Sequence, residues 1–474
     1  MKKPGLALSL LPIVVLVSMI SLGVRIFGEE ISSGTSQISL LLTTVITAVI
    51  SIVVLKIPWK KIEEGMMNHL SKTGSAIFIL LMIGALTGSW MISGVVPAMI
   101  YYGLKLIHPT VFLAVTFILT SVVSLMAGSS WTTVGTIGVA MLSAGQILGI
   151  PAPWLAGAII SGAYFGDKLS PVSDTTNLAA AVAEVDLYTH IKYMMITVTP
   201  AFLLSLVIYA VAGFFMPLNS SVNVDANLGS ISSIFNISPF LLLVPLFTIA
   251  MIVKKVSPFI TLFLSAVAGA VVACIFQPDL CSQIAGDGRA GGVMYLVASL
   301  KMMYGSVSLE TGDAILNSLT ATKGMAGMLN TVWLILCVVT FGGAMEASGM
   351  IQVITERMVK MVKSTFSLVG STVATTLFCN ITLSDQYMAI LLPGKMFAAT
   401  YKKMGYEPQL LSRTLEDSGT VTSVLVPWNT CGVAQSGVLG IATLAYLPYS
   451  FFNLLTPLMT LLVAAIGYKI KRKL

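Results

Sequence analysis

Apolar residues fill this chain in runs of about 20, the length a helix needs to cross the hydrocarbon core of a bilayer. Nearly uncharged stretches occupy 8–27, 38–57, 74–94, 109–127, 131–150, 153–166 and 193–216. A second series follows at 237–253, 257–276, 328–348, 365–383, 386–399, 408–426, 431–447 and 450–468. Several are shorter than a full span or interrupted by Gly and Pro, at 128–136, 166–177, 380–394 and 417–432. The pattern predicts an all-α polytopic membrane protein with about 11–14 membrane segments, some of them broken or reentrant. Leu6 to Phe27 is longer than a signal-peptide core, and no small-x-small cleavage site follows it. It reads as the first membrane helix. Trp59 to Lys72 is amphipathic and reads as an interfacial helix. The one long polar insertion, 277–327, carries Asp279, Asp287, Arg289, Glu310 and Asp313. Its apolar stretch from Val293 to Val307 is too short and interrupted to span, which predicts surface helices.

Charge sharpens this picture. The 474 residues include only 26 Lys and Arg and 19 Asp and Glu. A soluble chain of this length carries roughly 118 charged residues. So few charges cannot coat a globule in water, which excludes a soluble enzyme and a disordered chain. The net charge of +7 is topology rather than a nucleic-acid surface. Lys2, Lys3, Lys56, Lys60, Lys61 and Lys72 flank alternate ends of the first helices and place the N-terminus in the cytoplasm. Lys254, Lys255, Arg357, Lys360 and Lys363 mark the same side, as does the tail of Lys469, Lys471, Arg472 and Lys473. The segment 217–236 has no Lys or Arg and fits the outside, as does the insertion 277–327. Cys337, Cys379 and Cys431 lie in apolar runs as small packing residues. Cys274 and Cys281 lie near one membrane face, where an oxidising compartment would let them pair. No Cys/His spacing suggests a metal centre, and no cofactor is expected.

An odd number of crossings in each half gives the two halves opposite orientations. Residues 1–216 then form a first inverted repeat, 217–236 an external linker and 237–474 a second repeat. A constant offset of 255 residues supports the division: Ser93-Gly94 matches Ser348-Gly349, Lys105 matches Lys360 and Thr110 matches Thr365. The same offset pairs Thr120 with Thr375, Ser129 with Ser384, Thr175 with Thr430, and Asp174 with Asn429. It reaches the interrupted segments of both halves, where inverted-repeat transporters build their sites.

Ionisable groups inside spans cost a few kcal/mol each and are functional candidates by default. The richest stretch runs through Asp167, Lys168, Pro171, Ser173, Asp174, Thr175, Thr176 and Asn177. The two carboxylates, seven residues apart, would share nearly one helical face if the helix continued. Pro171 breaks it and frees carbonyls and hydroxyls for a small hard cation, with sodium ligands at Asp174, Thr175 and Asn177. The structural alternatives are a turn whose Ser, Asp and Thr cap a helix and an internal Asp167–Lys168 ion pair. The second half repeats the recipe with Arg413, Glu416, Asp417, Thr420, Pro427, Asn429 and Thr430. There Asn429 offers a neutral oxygen where Asp174 offers a charge. Ser129, Ser130, Thr132 and Thr133 in one break, and Ser384 and Asp385 in the other, are candidate pathway residues. The alternative for each is close packing between helices. Glu346 faces the pathway or lies at the inner interface. An intramembrane Asp that holds either a proton or a sodium ion gives obligatory exchange by alternating access.

These residues resemble the bacterial sodium/proton antiporter family of the NhaC type, which includes sodium–lactate/malate exchangers. The resemblance rests on Gly128-Ser-Ser-Trp-Thr-Thr, Tyr164-Phe-Gly-Asp-Lys-Leu-Ser-Pro-Val-Ser-Asp-Thr-Thr, Glu416-Asp-Ser-Gly-Thr and Val426-Pro-Trp-Asn-Thr. It implies a transporter in the bacterial inner membrane with inverted repeats, and Ser173-Asp174-Thr175 and Trp428-Asn429-Thr430 as its two tips. Two transport classes follow. In one, sodium exchanges for protons on Asp167, Asp174, Glu416 or Asp417. In the other, an organic acid or amino acid moves with or against sodium, its carboxylate taken by the tip N–H groups and Ser/Thr, with a positive group such as Lys168, Arg413 or Lys395 aimed into the cavity. A passive channel or a scaffold would not need paired broken repeats. The oligomeric state is open between monomer and homodimer.

Overall fold

Apolar runs in lipid have one local solution, because a helix satisfies its own backbone N–H and C=O groups. The computed structural model describes residues 3–27, 34–216, 224–308, 317 and 321–472. Glu310, Asp313 and residues 217–223 of the expected linker lie outside the described residues. Helices account for nearly all of the rest, and the two β-bridges are isolated. Seven described helices are long and apolar enough to cross a membrane, or up to nine if each of two pairs bent by 89° counts as one span. The other expected segments are shorter, interrupted helices.

In chain order, α1 (Leu6–Phe27), α2 (Thr35–Val53) and α3 (Trp59–Ile92) come first. The helices α4 (Val95–Leu106), α5 (Phe112–Ala127), α6 (Ser130–Thr133) and α7 (Val139–Ile147) follow, with a π turn, Val134–Gly138, joining α6 to α7. Next are α8 (Ala152–Leu169), α9 (Asp174–Val182), α10 (Leu187–Phe215), α11 (Val224–Ile234), α12 (Leu243–Val253) and α13 (Pro258–Phe276). The insertion supplies α14 (Pro278–Ala285) and α15 (Gly291–Tyr304). The second half contains α16 (Leu329–Ala347), α17 (Met350–Lys360), α18 (Thr365–Thr382), α19 (Gln386–Lys403) and α20 (Pro408–Leu415). A second π turn, Glu416–Thr420, carries α20 into α21 (Val421–Ser423). The chain closes with α22 (Thr430–Leu439), α23 (Thr443–Tyr446) and α24 (Phe451–Ile466).

One expectation is corrected. Trp59 to Lys72 is not a separate interfacial helix but the start of α3, which runs unbroken for 34 residues. No proline or loop separates its amphipathic and apolar parts, so the helix continues. Its polar start packs on α16. A side chain at Gly65 would sit 2.6 Å from the Ala347 Cβ, and His69 Nε2 meets Glu346 Oε2. The Glu346 side chain remains 43% exposed. The insertion helix α15 buries Ala298 and Met302 and exposes Val293, Leu296 and Leu300. All five cysteines are free.

Local geometry at the two matched Ser-Gly pairs is alike. Gly94 and Gly349 both take left-handed backbone, φ 81° and 71°, at the start of a helix. Just before them, Ser93 Oγ donates to the Trp90 carbonyl at 3.1 Å and Ser348 Oγ to the Met345 carbonyl at 2.7 Å.

Helix α5 packs closely on α8. The packing depends on Gly162 and Gly166, four residues apart on one face, which let the backbones touch. A Cβ on Gly162 would lie 2.4 Å from the Phe117 carbonyl oxygen, and one on Gly166 would lie 2.3 Å from that of Ser121. These neighbours are backbone and cannot rotate away. Gly166→Val is therefore expected to cost at least about 1–3 kcal/mol of overpacking. The check is the yield of monodisperse protein by size-exclusion chromatography, which should collapse.

Candidate functional site

Four helices begin inside the protein at the predicted breaks. Ser129 caps α6, its Oγ accepting the Thr132 N–H at 3.2 Å. Asp385 caps α19, its Oδ1 accepting the Met388 N–H at 2.9 Å. Asn429 caps α22, its Oδ1 accepting the Cys431 N–H at 3.0 Å, and Ser173 precedes α9. The breaks follow from residue chemistry. Gly128 and Ser384 both adopt positive φ, 61° and 57°, and Ser170-Pro171 cannot continue α8.

One cavity of about 480 Å³ touches all four starts. Asp167, Ser130, Thr132, Ser173, Thr175 and Thr430 are buried and form its floor. Ser129, Asp174 and Asp385 join them, and the exposed Lys72 and Lys255 form its rim. Asp167 Oδ2 accepts the Ser130 N–H at 3.0 Å and its hydroxyl at 2.8 Å. Asp174 is exposed to the cavity. Each helix N-terminus carries roughly half a positive charge, so four bring roughly two. Three carboxylates outweigh them. Hydroxyl and carboxylate oxygens of this kind are the donor set that a hard cation takes, and Lys72 and Lys255 add positive charge at the rim.

The remaining predicted residues lie elsewhere. Thr133 Oγ1 donates to the Ser129 carbonyl at 3.0 Å, and Thr176 Oγ1 to the Lys168 carbonyl at 2.9 Å. The exposed Asn177 turns its Nδ2 back to the carbonyls of Pro171, 3.0 Å, and Ser173, 2.7 Å. Asn429 Nδ2 donates to the Asn380 carbonyl at 3.0 Å, and the Ser384 carbonyl accepts the Thr430 N–H at 2.9 Å. Thr420 is buried in the second π turn.

Behind the cavity floor lies a second cluster. Lys168 Nζ is 2.6 Å from Asp417 Oδ1, with both side chains fully buried. Lys168 therefore does not pair with Asp167. Adjacent residues on a helix point about 100° apart, so the two side chains diverge to different partners. Asp417 Oδ2 also accepts the hydroxyls of Thr197 at 2.7 Å and Thr460 at 2.5 Å. The buried Arg413 guanidinium stacks on the Tyr193 ring at 4.6 Å, with its Nε 3.9 Å from Asp417. Glu416, also fully buried, accepts from Thr175 Oγ1 at 3.1 Å. Sequence reasoning missed Thr197 and Thr460, single hydroxyls in ordinary apolar runs. It also read Lys72 and Lys255 as topology markers alone.

A family model described as "Na+/H+ antiporter family" matches residues 162–468, which takes in every break except the first. The chain belongs to that Na+/H+ antiporter family. It is 33% identical over 413 residues to the Na+/H+ antiporter NhaC of Alkalihalophilus pseudofirmus, covering 87% of this chain and 86% of that one. It is 34% identical over 400 residues to the malate-2H+/Na+-lactate antiporter of Bacillus subtilis, covering 83% and 82%. It is 32% identical over 482 residues to the arginine/ornithine antiporter ArcD of Halobacterium salinarum, covering 100% and 94%. As a family member it is a multi-pass membrane protein whose relatives are antiporters.

Proposed function

We propose that this antiporter exchanges sodium for protons by alternating access, with Asp167 and Asp174 as the shared ligands of either ion. The observation that carries this reading is the cavity, which both aspartates line together with Ser130, Thr132, Ser173, Thr175 and Thr430, and in which Asp167 accepts from Ser130. A bare carboxylate there is costly unless a proton or a sodium ion neutralises it. One ion therefore displaces the other. The rim lysines Lys72 and Lys255 belong to the cytoplasmic set of the positive-inside pattern, so the cavity is the inward-facing form and both termini are cytoplasmic. The two halves, inverted relative to each other, supply two of the helix starts each. Alternating access then moves one bundle against the other around this junction.

A second reading takes an organic solute as well. The cavity is much larger than one ion requires, and Lys72 and Lys255 offer ammonium groups to a carboxylate. Relatives whose names give lactate, malate, arginine and ornithine supply the test panel. In proteoliposomes with a trapped pH indicator, a sodium gradient is expected to drive proton movement with no organic solute present. Proton movement that appears only on adding one of those four solutes would replace the first reading with the second.

A further inference from the structure

Cys274 and Cys281 are seven residues apart, and on one unbroken helix their Cα atoms would stand about 10.5 Å apart. A disulfide spans at most about 7 Å between Cα atoms, so their spacing alone would keep them separate. The fold removes that obstacle. Helix α13 stops at Phe276, Gln277 leaves helical geometry with φ −127° and ψ 52°, and Pro278 starts α14. The Cys281 thiol then lies against that of Cys274, and Cys274 Sγ is also 3.5 Å from Ser299 Oγ of α15. Both are free thiols. The Gln277 side chain pins the corner between them. Its Oε1 accepts the Asn236 N–H at 3.0 Å, and its Nε2 donates to the Asn236 carbonyl at 3.1 Å.

The position of this corner in the membrane adds a second, independent argument. Lys254 and Lys255 stand just before α13, on the side that the positive-inside pattern marks as cytoplasmic. The 19 residues of α13 rise about 28 Å, close to the thickness of the hydrocarbon core. Cys274 and α14 therefore lie at the opposite face, toward the compartment where disulfides form and persist.

Resting on that orientation, which the inward-facing reading of the cavity shares, we propose that Cys274 and Cys281 are a modification site, oxidised from outside to a disulfide that staples α13 to α14. Cys274 is half-buried and Cys281 fully buried, which sets the order of events. The Cys274 thiol loses its proton and attacks one sulfur of an external disulfide oxidant, whose other sulfur leaves as a thiolate. The Cys281 thiol, deprotonated in turn, attacks the Cys274 sulfur and expels the second oxidant sulfur. One S–S bond forms in the protein and one breaks in the oxidant, which takes up two electrons and both protons. Cys337, Cys379 and Cys431, buried in α16, α18 and α22, serve as internal controls.

The test is disulfide mapping on full-length protein in membrane vesicles treated with oxidised glutathione, which does not cross the membrane. Free thiols are blocked with N-ethylmaleimide in SDS, and the digested protein is read by mass spectrometry. With glutathione outside right-side-out vesicles, a linked peptide joining Cys274 to Cys281 is expected. Cys274→Ser and Cys281→Ser should each abolish it, whereas Cys379→Ser should leave it in place. Reducing the oxidised protein with a phosphine should lower its melting temperature in detergent by a few degrees and leave that of Cys274→Ser unchanged. Five blocked thiols in the treated wild type would overturn the proposal and leave the cavity reading standing. A melting temperature unmoved by reduction would overturn the stapling. A link that forms only when glutathione meets the other face, in inverted vesicles, would overturn the proposal and the inward-facing reading together, because α13 would then run the other way.

Discussion

Asp174→Asn is expected to reduce sodium-driven proton movement in proteoliposomes at least about a hundredfold while leaving the folded yield unchanged. Two charges about 4 Å apart at an effective dielectric near 20 interact by about 4 kcal/mol, close to a thousandfold in affinity. Asp174 is exposed to the cavity, so solvent screening lowers the expectation by roughly tenfold. The substitution keeps side-chain size and a polar oxygen at the first residue of α9, and among the described residues the Asp174 carboxylate holds no ion pair whose loss would unfold the protein. Fold and function should therefore separate. Exchange at the wild-type rate in a well-folded Asp174→Asn protein would rule out a shared ligand at this position.

Lys168 and Asp417 call for the opposite expectation, a large stability effect. Both are fully buried and in contact at 2.6 Å. Removing one partner strands the other charge in a low-dielectric interior, at a cost of about 3–5 kcal/mol. Lys168→Met and Asp417→Leu should each lower the melting temperature measured in detergent, and the double variant should recover most of the loss. Two single losses that simply add in the double variant would show that the pair is not coupled. The link matters for architecture because Lys168 ends α8 in the first half and Asp417 sits in the second half's π turn.

Much of this was legible in the sequence because membrane helices announce themselves by length, and their breaks by Gly, Pro and clustered hydroxyls. Gly128, Pro171 and Ser384 mark chain interruptions in the structure as their residue types suggest. Partner choice was less legible. Asp167 and Lys168 are adjacent in sequence, which invites a local ion pair, yet helical geometry sends one to Ser130 and the other to Asp417. Thr197 and Thr460, which complete the Asp417 site, are 220 and 43 residues away from it and carry no local signal. The two π turns were invisible for a related reason. Their register shifts depend on what packs outside them, such as Asn380 Nδ2 reaching the Gly419 carbonyl at 2.7 Å. Trp59–Lys72 was misjudged because an amphipathic face fits lipid and a neighbouring helix equally well, and here α16 covers it.

The breaks of the second half are tied to each other more closely than their separation in sequence suggests. Thr430 N–H is bonded to the Ser384 carbonyl, Trp428 Nε1–H to the Ile381 carbonyl at 2.8 Å, and Asn429 to Asn380. Any movement of one interruption relative to the other must break all three of these ties. Under the proposed alternating access, the two are therefore expected to travel together. Two breaks that the sequence sets about 45 residues apart are one tied unit in the fold.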